Sequence, residues 1–351
     1  MSFKIAGKDA GPIGFGLLSM RLAFHSLIIE VSKKLTLSLG LCRPPAQPYD
    51  SAIKVMRAAL SHGANVWNGA QHYGTPTTNS LHLLAHYFTQ YPADASKVIL
   101  TIKGCFTAAG PDNSPSGVRT SIDTCLEILD GKVFLDIFEP GRIDPKVPIE
   151  ETVKVIRDEY ILKGKIGGYG ISECSASTIR KAHAIYPVGV VEIELSLFST
   201  DVLTNGVWET CQELGIPILA YSPLSRGFLT GRFQSLDDLD ANDARRMFPR
   251  FAPEVFEENL RLVKEVEKLA EKKGCTVAQV AIAWVKAQEN KGGKKGQVIP
   301  IPGCTTVQRV EENLTAVLLD ERELEELDRM LAEIQIKGER YPEQFKKYQD
   351  L

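Results

Sequence analysis

Short runs of β-branched and apolar residues recur along the chain at 13–18, 64–70, 98–103, 134–138, 166–172, 190–196, 216–221 and 297–301. Each has the length of a buried strand and is bounded by turn-forming residues, so the pattern predicts about eight strands. Between them the apolar positions switch to a helical period, as in 51–62, 116–129, 149–162, 175–185 and 259–273. Ser51 and Gly63 read as the start and stop signals of the first of these. Strands that alternate with helices call for a parallel sheet, because a parallel neighbour is reached only by a crossover and a helix is the usual one. Eight such units close on themselves, so the expected fold class is α/β, a single-domain (β/α)8 TIM barrel spanning 1–351. The rival architecture is a doubly wound dinucleotide-binding sheet beginning at Gly14-Phe-Gly16. That motif lacks a third glycine and a clean helix behind it, and reads better as a tight turn entering the first strand.

Three segments interrupt the rhythm. Arg21 to Gln47 separates the first strand from its helix, Arg232 to Phe256 follows the seventh strand, and Lys291-Gly-Gly-Lys-Lys-Gly296 reads as a solvated loop before the eighth. Residues 338–351 form a C-terminal tail, and no internal repeat is visible.

Charge narrows the function classes. The 351 residues carry 41 Lys and Arg against 44 Asp and Glu, a net charge of −3, which gives no basic field for gathering a phosphate backbone and argues against a nucleic-acid partner. The 7 cysteines are scattered, odd in number and without a C-x-x-C pair, which argues against both a disulfide framework and a metal site. The N-terminus has no apolar run of the signal-peptide kind, and the most apolar stretch, Leu22 to Leu41, contains Glu30, Lys33 and Lys34. The expectation is a cytoplasmic protein with no membrane-spanning helix.

In a barrel, chemistry sits where strands end and their loops begin. Those positions read Asn68-Gly-Ala-Gln-His72-Tyr73-Gly, Lys103-Gly, Glu139-Pro-Gly141-Arg142, Ser172-Glu173, Glu192 with Glu194, and Tyr221-Ser-Pro-Leu-Ser-Arg226-Gly. Tyr73 and Lys103 stand out. An ammonium beside a phenol stabilises the phenolate and draws its pKa from about 10 toward neutrality, so that the hydroxyl can pass a proton to a carbonyl oxygen. The plainer reading is a core tyrosine and a strand-end lysine.

Four segments in order carry a more specific message: Trp67-Asn-Gly-Ala-Gln-His-Tyr73-Gly, Gly164-Lys-Ile-Gly-Gly-Tyr-Gly-Ile-Ser-Glu173, Ala220-Tyr-Ser-Pro-Leu-Ser-Arg-Gly-Phe-Leu-Thr-Gly231, and Ile299-Pro-Ile-Pro-Gly303 with Glu312-Asn313. With these the chain resembles the aldo-keto reductases, and most closely their fungal pyridoxal reductase branch. The resemblance covers nearly everything outside 21–42 and the tail. It implies a barrel that binds NADPH across its C-terminal mouth and reduces a small-molecule aldehyde or ketone, pyridoxal to pyridoxine in the first instance. Tyr73 would be the proton donor and Lys103 its activating cation. On the cofactor side, Ser172, Glu173 and Glu192 would meet the nicotinamide amide and Tyr221 would stack on its ring. The stretch Ser222, Pro223, Leu224, Arg226 and Gly227 would follow the pyrophosphate. Gly303, Cys304, Thr306 and Arg309 would take the adenosine 2′-phosphate, and Glu312 and Asn313 the adenine. A cation in the first turn of a helix gains nothing from the helix dipole, which favours an anion as the partner of Arg309.

The departures are as informative. The family's catalytic set has an aspartate where this chain has Asn68 and a histidine where it has Gly141. Asn68 can accept a hydrogen bond from Lys103 but carries no charge to balance it, so that lysine either lowers the Tyr73 pKa further or loses its own proton. Gly141 removes a donor to the substrate carbonyl and leaves space. His72, on the pocket lining, either supplies part of that donor or is simply a wall. Glu173, Glu192 and Cys304 replace the family's usual Asn, Gln and Ser. The 21–42 segment has no family counterpart, and is either a functional lid or partner patch, or a translated retained intron. Two other functions stay open: a general aldehyde or ketone reductase, and a catalytically weak NADPH-binding regulatory or redox-sensing protein.

Overall fold

A computed structural model describes residues 3–17, 49–293, 296–346 and 348. The 21–42 segment lies outside the described residues, as do 349–351 of the tail. The eight strand expectations are met in order by β1 (Phe15–Gly16), β2 (Val66–Ala70), β3 (Ile99–Gly104), β4 (Ile137–Pro140), β5 (Gly168–Ser172), β6 (Val190–Glu194), β7 (Ile218–Tyr221) and β8 (Val298–Pro300). Neighbours in this series pair in parallel, in sequence order. The outer strands meet through Gly14 N–H, which donates to Pro300 O at 2.9 Å, and Gly16 N–H, which donates to Pro302 O at 3.5 Å. The sheet therefore closes into a (β/α)8 barrel.

That seam explains the Gly14-Phe-Gly16 motif. A Cβ on Gly14 would lie 2.8 Å from Ile301 Cγ2, and one on Gly16 would lie 2.9 Å from Ile301 O. The glycines serve backbone approach between the first and last strands. Helices follow the strands: α1 (Tyr49–Ser61), α2 (Ser80–Gln90), α3 (Pro115–Leu129), α4 (Ile149–Ile156), α5 (Ala176–Ile185), α6 (Val207–Leu214), α7 (Pro253–Lys273), α8 (Val277–Ala287), α9 (Val307–Leu314) and α10 (Glu321–Glu333). Ser51 lies inside α1 and does not cap it, whereas Gly63, with φ of +83°, does stand just beyond its end. The ring of helices also closes, since α9 packs on α1.

The core has two compartments. Outward-facing strand residues such as Trp67, Phe138 and Tyr169 pack under the helices. Inside the barrel, Val66, Ile99, Ile137, Val190, Leu219, Ile299 and Ile301 fill the lower end. A hairpin not foreseen from the pattern, Phe3–Ile5 paired with Lys8–Ala10, plugs that end with Ile5 and Ala10.

Candidate active site

Side chains of a strand alternate between faces, so two residues above each bottom-layer aliphatic another inward position follows. The pairs are Val66 with Asn68, Ile99 with Thr101, Ile137 with Glu139, Val190 with Glu192, and Leu219 with Tyr221. One step higher on β3, Lys103 reaches the same region. The lower layer is hydrocarbon, and the layer above it is polar, charged and buried.

Lys103 Nζ, 3% exposed as a residue, donates to Asn68 Oδ1 at 2.5 Å and to both Glu192 oxygens at 2.8 Å. Asn68 Nδ2 donates to Glu192 Oε2 at 2.6 Å and to Thr101 Oγ1 at 2.9 Å. Nζ also sits 5.2 Å from the centroid of the Tyr73 ring. Lys103 is thus not left without an anion. Burial works against its charge, but Glu192, supported by Tyr73 and Glu139, outweighs burial and holds its pKa above the ordinary lysine value. The ammonium form is secured, and of the two outcomes drawn from Asn68, loss of the lysine's proton is removed.

Glu139 pairs in register with Lys103 across β3 and β4, is completely buried, and neither of its carboxyl oxygens has a hydrogen-bond partner among the described residues. Burial first, then the neighbouring Glu192 carboxylate, push its pKa well above the usual range, and Lys103 only partly offsets them. Glu139 is thus the carboxyl group of this cluster that most resists ionisation, set behind the Lys103–Glu192 pair. Room for it comes from Gly170, where a Cβ would lie 2.9 Å from Glu139 Cγ.

At Gly141 a Cβ would stand 3.5 Å from His72 Cε1, so the imidazole edge occupies the space beside the glycine. The His72 ring meets Tyr73 edge-on at 5.0 Å and Phe106 at 5.4 Å. Burial, then the Lys103 and Arg142 cations, lower its pKa to about 3, so the ring is neutral. Its Nδ1 is shielded from solvent with no partner among the described residues. Arg142 donates to Gly141 O at 2.6 Å and at 3.5 Å to Ser172 Oγ and Tyr341 Oη, none of them a carboxylate.

On the cofactor side, Glu173 adopts φ of +50° and is fully buried. It accepts from the Tyr221 hydroxyl at 2.8 Å, from Glu194 N–H at 2.9 Å and from Arg340 Nη1 at 3.3 Å. Tyr221 Oη lies 2.8 Å from Tyr341 Oη as well. In the loop after β7, Ser222, Ser225, Arg226 and Gly227 all have positive φ. Such strain persists where surroundings enforce it, and here Arg226 is clamped by Glu194 at 3.0 and 3.2 Å and stacked between Phe248 and Tyr341 at 4.7 and 4.8 Å. Pro223 and Leu224 complete the loop, buried and half-buried respectively. After β8, Gly303 and Cys304 lead to Thr306, whose hydroxyl caps α9 by accepting from Arg309 N–H at 3.3 Å. The Arg309 guanidinium donates to Thr305 Oγ1 at 3.1 Å, Asn313 is buried, and Glu312 is half-buried. Burial pushes the Cys304 thiol up to about 12, so it is neutral.

The structure therefore gathers Asn68, His72, Tyr73, Lys103 and Glu192 at one point and Ser172, Glu173 and Tyr221 beside it. It commits Glu173 and Glu192 to protein partners. Sequence reasoning did not assign Glu139, Arg142, Glu194, Arg340 or Tyr341. The first three stood among the strand-end residues, whereas Arg340 and Tyr341 come from the tail and had no local signal. Around the mouth the five cations Lys103, Arg142, Arg226, Arg250 and Arg340 stand against four acidic partners, Glu173, Glu192, Glu194 and Asp201. Together with the α9 N-terminus, this surplus suits a phosphate-bearing dinucleotide. The described residues contain no cluster that could hold a metal ion and no helix long and apolar enough to cross a membrane.

A closed barrel with a lysine beside a tyrosine at its C-terminal mouth is an arrangement that oxidoreductases use, and comparison gives the family. The chain belongs to the aldo/keto reductase family, whose model matches residues 36–332. Among curated relatives it is 40% identical to "Probable pyridoxal reductase 2" of Schizosaccharomyces pombe, over 97% of each chain. It is 36% identical to "Aldo-keto reductase str7" of Strobilurus tenacellus, over 83% of this chain and 84% of that one. Its fold is shared with the glycerol dehydrogenase of Gluconobacter oxydans (TM-score 0.77, 22% identity, 96% and 97% of the two chains). It is shared too with a thermostable aldo-keto reductase solved with the inhibitor epalrestat (TM-score 0.67, 18% identity, 94% and 99%).

Proposed function

We propose that this chain is a cytoplasmic NADPH-dependent reductase whose principal substrate is pyridoxal. The observation that carries the reading is the buried Lys103 ammonium, held by Glu192 and Asn68 within 5.2 Å of the Tyr73 ring centroid. A cation there stabilises the developing phenolate as Tyr73 releases its proton to the carbonyl oxygen. When bound, NADPH supplies the hydride. Arg309 and the N-terminus of α9 would hold its 2′-phosphate, the Ser222–Gly227 loop its pyrophosphate, and Glu312 and Asn313 its adenine. Tyr221 and Ser172 would orient the nicotinamide.

Pyridoxal is favoured over a simple aldehyde by two features besides the relative named above. At Gly141 no side chain projects and the edge of the His72 ring forms the wall instead, a flat lining that suits a substituted pyridine ring. Arg142, half-buried and without a carboxylate among its hydrogen-bond partners, is placed to receive an ionised ring hydroxyl such as the one beside the aldehyde of pyridoxal. His72 would donate to the carbonyl oxygen in place of the absent residue-141 side chain, its neutral ring carrying one N–H for that purpose.

The test is NADPH oxidation followed by absorbance on the full-length protein, with pyridoxal and a panel of uncharged aldehydes. Turnover of pyridoxal that Tyr73→Phe abolishes, with a rise in KM for pyridoxal alone in Arg142→Met, is the expected result. Equal turnover of all aldehydes would replace pyridoxal by a general reductase. Tight NADPH binding with no turnover would leave a cofactor-binding regulatory protein.

A further inference from the structure

The polar layer of the barrel contains one ammonium, two carboxyl groups and one carboxamide, all buried: Lys103, Glu192, Glu139 and Asn68. In such a place every charge needs a partner and every donor an acceptor. Lys103 brings protons only, and Glu192, its single carboxylate contact within 4 Å among the described residues, brings lone pairs only. Asn68 touches both. Its Oδ1 accepts from Lys103 at 2.5 Å while its Nδ2 donates to Glu192 at 2.6 Å and to Thr101 at 2.9 Å. Only a group with an acceptor on one side and a donor on the other completes this triangle, and an amide is such a group. A carboxylate at position 68 would face Glu192 across a hydrogen-bond distance with no proton between them. An amide at 192, with Asn68 unchanged, would leave Lys103 with no carboxylate in contact among the described residues.

We propose that Glu192 is the positioning counter-ion of Lys103, holding the ammonium against Tyr73, and that Asn68 is the amide this arrangement requires. Positions 68 and 192 thus form one unit that must contain one carboxylate and one amide. The proposal rests on the reading of Tyr73 as proton donor for its kinetic consequence, though not for its structural one. It also separates Glu192 from the nicotinamide. The groups that face Lys103 from the packed elements are Glu192 on β6, Glu139 on β4, Asn68 on β2, and Tyr73 and His72 just beyond β2.

Three variants test it: Glu192→Gln, Asn68→Asp, and Asn68→Asp/Glu192→Gln, which exchanges the two functional groups. Glu192→Gln is expected to lose at least a hundredfold in kcat for aldehyde reduction, with the Kd for NADPH measured by fluorescence unchanged. The pH at which the remaining activity falls off should move down, because Lys103 releases its proton more easily without Glu192. Asn68→Asp alone should also lose activity, and the double variant should recover most of the kcat and the wild-type pH profile. The same cycle is read without substrate by thermal unfolding, where each single variant lowers Tm and the double regains most of the loss. A Glu192→Gln protein with wild-type kcat and weakened NADPH binding would overturn the proposal in favour of a cofactor contact. So would a double variant that is no better than the singles, or that fails to fold. Absence of turnover in the wild type would refute the reductase reading, while the Tm cycle would still decide whether 68 and 192 act as one unit.

Discussion

The two ends of this barrel are built by the same strands and lined by residues only two positions apart, yet they obey opposite rules. At the lower end Val66, Ile99, Ile137, Val190, Leu219 and Ile299 meet the hairpin residues Ile5 and Ala10 in a dry apolar layer. At the upper end the next inward residues are Asn68, Thr101, Glu139, Glu192 and Tyr221, with Lys103 above them. The lower layer gains from each methylene removed from water. The upper layer gains little from burial and holds charged groups in place only because each is matched. Strand alternation thus supplies a floor for stability and a ceiling for chemistry, and substitutions should sort by end.

The largest effect is expected from giving the floor a charge. Ile137→Glu would place a carboxylate two residues below Glu139 in an aliphatic layer, where Lys8 is already engaged by Asp136, and a buried charge without a partner costs about 3–5 kcal/mol. We expect no cooperative unfolding transition in circular dichroism, or a severely lowered one. At the ceiling, His72→Phe should leave the melting temperature nearly unchanged and lower kcat by about 10²–10³, the usual cost of one lost donor to a developing oxyanion. A variant with unchanged kcat would reduce His72 to a pocket wall. The shape of the pH–rate profile between 5 and 8 should be the same in both proteins, since His72 stays neutral down to about pH 3.

Glu139→Gln probes the cost of the ceiling itself. The Glu139 pKa is raised in the folded protein above that of the unfolded chain, so the native state retains a proton that the unfolded state releases. Its contribution is complete below the unfolded value, near 4.3, and is lost as pH rises from there. Glu139→Gln should therefore stabilise the protein more at pH 8 than at pH 4, as read by urea denaturation at the two pH values. Equal gains at both would mean that packing alone is responsible.

The floor was legible in the sequence because alternation and β-branching leave a local trace, and the eight runs fell on the eight barrel strands. The helices were partly legible: α8 is buried on nearly every side, which blurs the helical period, although Thr276 and Gln279 carry a capping box that marks its start. Of the ceiling, Tyr73, Lys103 and Asn68 were legible through their motif. Their charge balance was not, because Glu192 lies 89 positions from Lys103 and a lysine's counter-ion is fixed by the closure of the sheet. Arg340 and Tyr341 lie further still, Arg340 being 167 positions from the Glu173 it contacts. Neither spacing nor propensity reports such a pair.

The smallest effect should come from an ion pair that reaches the edge of the floor. Lys8, in the plugging hairpin, donates to Asp136 Oδ2 at 3.0 Å and to Val98 O at 2.9 Å, and its Nζ lies 2.9 Å from Asp136 Oδ1. Asp136 is buried, but it also accepts from Leu100 N–H at 2.9 Å, and the Lys8 side chain is 31% exposed. Solvent therefore screens part of the attraction, and the carboxylate retains a donor when the lysine is gone. Lys8→Met keeps the aliphatic stem that covers the barrel end and removes only the charge. A loss of about 1 kcal/mol is expected by urea denaturation, with kcat and KM unchanged. A much larger loss would mean that the floor depends on charge pairing as the ceiling does, and an altered kcat would mean that the two ends of the barrel are coupled through β3 and β4.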